Sequence, residues 1–134
     1  MTITLADPSL LRDQCLIGGM WTGVPTIPVT DPATGAAIGS IPDLDASDTR
    51  AAVCAADAAL PAWRAKTAAE RARILRRWFD LLTAHQDDLA MILTREQGKA
   101  LAEAKGEIGY AASFVEWFAE EGRRIYGEII PTHR

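Results

Sequence analysis

The stretch TAAERARILRRWFDLLTAHQDDLAMIL, residues 67–93, decides how this chain folds. Thr67 with Glu70 three positions on forms a capping box, in which the hydroxyl accepts from one free N–H at a helix start and the carboxylate from another. Behind it Ile74, Leu75, Trp78, Leu81, Leu82, Leu89, Ile92 and Leu93 recur at helical spacing. The polar run from His85 to Asp88 interrupts that stripe and implies a kink or short break. Gly98 suits the left-handed residue that closes such a helix.

Towards the C-terminus a further helix is predicted over 101–125, with Ile108, Ala111, Val115, Phe118, Gly122 and Ile125 on one stripe and Tyr110, Phe114 and Trp117 on a second. An apolar arc that wide needs more than one packing partner. Towards the N-terminus a helix is predicted over 47–60, capped by Ser47 or Asp45 and closed by Pro61. Its inward stripe is small, with Ala52, Val53, Ala56, Ala59 and Leu60, and Trp63 is an anchor beyond the proline. Residues 15–42 read as strands and turns. Gly18 and Gly19 break one apolar run, and the DPATG sequence from Asp31 to Gly35 turns 26–30 back onto 36–41 as a hairpin. Pro25, Pro28 and Pro42 keep these strands at edges because each removes a ladder donor. Residues 1–14 are expected to form an extended arm, 15–42 the strands, and 45–130 the helices.

The chain has 134 residues, 49% of them hydrophobic, which supports one core and not two. A net charge of −4 argues against a general nucleic-acid binder. No basic leader followed by an apolar run opens the sequence, and no run of 18 apolar residues is present, so no membrane partner is predicted. Cys15 and Cys54 show neither a CxxC nor metal-like spacing. Together these features predict a cytoplasmic, soluble, reduced protein.

Candidate chemistry is sparse. Neither GxGxxG nor GxxxxGK[ST] occurs, so the glycine pairs are assigned to turns and packing. Cys15 and Cys54 lack an adjacent His or a cationic setting and read as buried structural thiols. His85 and His133 have no third ligand at recognisable spacing. Arg64, Lys66, Arg71, Arg73, Arg76 and Arg77 surround Glu70 as a solvated or subunit-facing basic surface, the alternative being a nucleic-acid contact. Lys99, Glu103, Glu107, Glu116, Glu120 and Glu121 read as a charged helical face, since a catalytic pair needs a cleft. No catalytic, cofactor-binding or metal residue is assigned.

Two segments carry a resemblance: AADAALPAWRAKTAAERARILRRWFDLL from Ala55 to Leu82, and EQGKALAEAKGEIGYAASFVEWFAEEGRRIYGEIIP from Glu96 to Pro131. Both resemble the opening third of the aldehyde dehydrogenase superfamily, and within it the succinate-semialdehyde dehydrogenases. The resemblance implies an α/β fold, of which these residues form the N-terminal part of the cofactor-binding domain. That part is mainly α, with an N-terminal β-hairpin and three main helices, and precedes the Rossmann-like sheet and the catalytic domain. It implies a reaction on a catalytic Cys, hydride transfer to NAD or NADP, thioester hydrolysis with a Glu base, and homo-oligomers. The motifs that carry that chemistry, among them the oxyanion Asn, the Glu and the Cys, come later in family order. The sequence is therefore expected to be an N-terminal piece of such an enzyme, by truncation, frameshift or a split gene, inactive alone and binding no cofactor. The alternative is a stand-alone helical module that self-associates or binds a full-length relative. Some members hold a monovalent cation that would map to Val29 or Thr30 and Glu107; here the acid is Glu where many relatives carry Asp, and the spacing is one residue shorter.

Overall fold

A computed structural model of the chain describes residues 3–128. Among them are two antiparallel strand pairs and four α-helices: β1 Cys15–Ile17, β2 Met20–Thr22, β3 Pro25–Thr30, β4 Ala37–Pro42, α1 Ala46–Ala65, α2 Ala68–Ala84, α3 Gln86–Gln97 and α4 Leu101–Glu121. His133 and the end of the 45–130 segment lie outside the described residues.

The start signals act where the sequence places them. Thr67 caps α2, its hydroxyl accepting from the Glu70 N–H while the Glu70 carboxylate accepts from the Thr67 N–H. Of the two candidates for α1, Asp45 is the cap, and Asp48 completes a second reciprocal box. The polar interruption is a true break: His85 ends α2 and precedes α3 with φ −105° and ψ 17°, so the three expected helices are four.

Pro61 does not close α1, which runs through it to Ala65. A proline here removes one N–H and frees the Asp57 carbonyl, and on a helix with no buried residue that carbonyl meets water. The same exposure overturns the inward stripe of α1. Val53, Ala56, Ala59 and Leu60 face solvent, Trp63 lies in the last turn, and of the predicted stripe Ala52 alone is half-buried, as is Ala55, which a Cβ placed on Gly18 would approach to 3.6 Å.

The helices of the second half form the core. α4 packs on α2 and α3. Its fully covered residues are Ala104, Ala112 and Ala119, with Ile108 and Val115 half-buried between them. This stripe is rotated from the one read in the sequence, leaving Phe118 outside and ending the helix before Ile125. Small side chains let two helices come close, whereas Phe118 in the contact would hold them apart. Gln86 at the start of α3 donates its side-chain N–H to the Lys105 carbonyl at 2.9 Å. A Cβ at Gly109 would stand 3.2 Å from that amide nitrogen, so the missing side chain keeps the approach open.

Two polar anchors join the N-terminal elements to the helices. The DPATG turn forms as read, with Gly35 at φ +70° and the Asp31 carbonyl accepting from the Gly35 N–H at 2.7 Å. Asp31 is buried; its carboxylate accepts from the Ala33 N–H at 2.8 Å and lies 3.1 Å from Arg95 Nε in α3, an ion pair between turn and helix. Gly98 ends α3 at φ +82°, and a Cβ there would come 2.8 Å from Pro32 Cγ. The second anchor is Asp88. It is buried, and its two oxygens accept from the Ala6 and Asp7 N–H groups at 2.9 and 2.8 Å. The arm is thereby fixed to α3, and contains a 3-10 turn, Pro8–Leu10, rather than being extended throughout.

Two outcomes test these anchors. Asp88→Ala should strand two backbone donors and cost about 1–3 kcal/mol, read as a lower Tm with faster hydrogen exchange at Ala6 and Asp7; unchanged exchange there would show that other contacts hold the arm. Gly98→Ala should cost more than the ~1 kcal/mol of an ordinary glycine substitution, because a left-handed backbone and the Pro32 clash coincide.

Candidate functional site

An open concavity lies along the outer side of α4, lined by Tyr110, Ser113, Phe114, Glu116, Trp117, Phe118, Glu120 and Arg124. At about 100° per residue, Tyr110, Phe114, Trp117 and Phe118 share one side of the helix, opposite the alanine stripe. Tyr110 and Phe114 meet edge to face with centroids 4.8 Å apart. The sequence grouped Tyr110, Phe114 and Trp117 correctly as a second stripe, but Phe118 belongs with them. Such a surface recognises apolar matter by shape and dispersion.

The charged helical face is realised as ion pairs. Glu107 pairs with Lys99, Glu121 with Arg124, and Glu116 with Arg76 at 2.9 Å; Arg76 also lies 3.3 Å from Asp80. Glu107, the acid of the implied cation site, is thus engaged by an ammonium, and the acids that share a cleft with Val29 are Asp13 and Glu96. Among the described residues no cluster of three or more His, Cys, Asp or Glu is positioned for a metal ion.

The basic surface is a shallow exposed patch of Lys66, Glu70, Arg73, Ile74 and Arg77 on α2, with Arg71 turned back to donate to the Lys66 carbonyl. Cys54 is exposed on α1 and Cys15 is half-buried in β1, so the expectation of two buried thiols fails, most clearly for Cys54. The reason is the one that exposes Val53: no element covers that side of α1. His85 occupies the helix break, as its polar surroundings suggested. Among the described residues no helix is long and apolar enough to cross a membrane.

The arrangement positions apolar and ionic surfaces, and comparison with known proteins gives those surfaces a context. The aldehyde dehydrogenase family profile matches residues 21–134. The chain is similar to a succinate-semialdehyde dehydrogenase of Escherichia coli whose name specifies NADP, at 61% identity over 97% of this chain and 28% of the relative. A glutarate-semialdehyde dehydrogenase of Pseudomonas aeruginosa is 59% identical over the same shares. In structure, the chain superposes on the crystal structure of an E. coli NADP-dependent enzyme with a TM-score of 0.91, at 60% identity, over 98% of this chain and 28% of that one. These residues therefore have the fold of the N-terminal portion of an α/β oxidoreductase. The chain belongs to the aldehyde dehydrogenase family. It spans a little over a quarter of the length of the relatives it matches, with 28% covered in each.

The capping carboxylates give the fold an acid dependence of definite sign. The Ser47 hydroxyl and the N–H groups of Asp48 and Ser47 hold Asp45 below its ordinary pKa; the Thr67 hydroxyl and N–H do the same for Glu70, and those of Ser9 for Asp7. Carboxyls lowered in the folded state contribute stability that is fully present above their ordinary range and is lost as pH falls through the lowered values. Thermal melts should therefore show a Tm falling as pH drops below about 4. Thr67→Ala should lower Tm at neutral pH and flatten the acid limb; an acid limb identical to that of the parent would remove Glu70 from the explanation.

Proposed function

We propose that these residues belong to an NAD(P)-dependent dehydrogenase that oxidises succinate semialdehyde to succinate, and that in it they form a supporting layer rather than the reacting centre. The observation that carries this reading is the 61% identity to a succinate-semialdehyde dehydrogenase across 97% of the chain. The reaction takes the aldehyde, water and NAD(P)+ to the carboxylate, NAD(P)H and protons. Glutarate semialdehyde, one methylene longer, is the nearest alternative substrate, since the P. aeruginosa relative is 59% identical. A single methylene separates substrates by only about 1–3 kcal/mol.

On this reading the 134 residues alone do not turn over aldehyde. An attacking thiolate needs a base or a cationic setting. Cys54 stands on the exposed side of α1, and among the described residues no base is hydrogen-bonded to either thiol. Pyrophosphate binding needs free N–H groups at a helix start behind a glycine-rich turn. Here Asp45 and Thr67 occupy the starts of α1 and α2 with their own side chains, and the uncapped starts of α3 and α4 follow no glycine-rich turn.

The purified chain should give no NADH or NADPH from succinate semialdehyde and no saturable heat with either dinucleotide in calorimetry. Placed in frame ahead of the remaining portion of the E. coli relative, it should support oxidation with kcat/KM within about tenfold, or 1.4 kcal/mol, of that enzyme. Turnover by the free chain would overturn the supporting role. A soluble chimaera oxidising other aldehydes and not succinate semialdehyde would overturn the substrate.

A further inference from the structure

We draw no further inference here: the strongest candidate, the cleft between the arm, the β3–β4 hairpin and the end of α3 where Asp13 and Glu96 stand near Val29 and Ser40, is an acidic pair beside the cation position that the family resemblance already implies, and no buried unpartnered side chain lines it to point to a ligand of its own.

Discussion

Three alanines on one side of α4 set the geometry on which the rest of the molecule depends. Ala104, Ala112 and Ala119 are the points at which α4 disappears against its neighbours, and among the described residues no large side chain is completely enclosed. Close approach of the helices brings Gln86 within reach of the Lys105 carbonyl and Arg76 within reach of Glu116. It also decides which residues are left over. With the small stripe turned inward, the aromatic side chains of α4 have nowhere to go but out.

The N-terminal elements attach to that helical layer through charge and backbone rather than through apolar burial. Asp31 meets Arg95, Pro32 rests on Gly98, and Asp88 holds two amides of the arm. The Asp88 hydrogen bonds are directional, the Asp31–Arg95 pair is ionic, and Pro32 on Gly98 is a close van der Waals approach. The two strand pairs are separate two-stranded sheets with no third strand between them among the described residues, and such hairpins have little stability of their own. Their persistence therefore depends on α1 and α3, the helices they touch.

Local chemistry was legible in the sequence and distant chemistry was not. The Thr67 and Glu70 box, the Gly98 terminus and the Gly35 turn are each determined within a few residues, and each stands where it was read. Asp88 carries no such signal. In its own window it is one more acid in the first turn of a helix, and nothing nearby names a partner 82 residues earlier. Pro61 misled for a different reason: a proline penalises a helix interior without forbidding it, and α1 runs on to Ala65. The rotation of the α4 stripe reflects volume: a reading weighted by hydrophobicity selects Phe118, and packing selects Ala119. As for the candidate site, the aromatic row was visible as a second apolar stripe, while its concavity and the ion pairs around it depend on how α2 meets α4.

The Asp88 contact also orders events during synthesis. The carboxylate that receives the Ala6 and Asp7 amides is made 81 to 82 residues after them. Until then the arm has no acceptor waiting for it, and all of α1 and α2 is made before the partner is available. The arm is thus secured only after the two helices that separate it from α3 have been made.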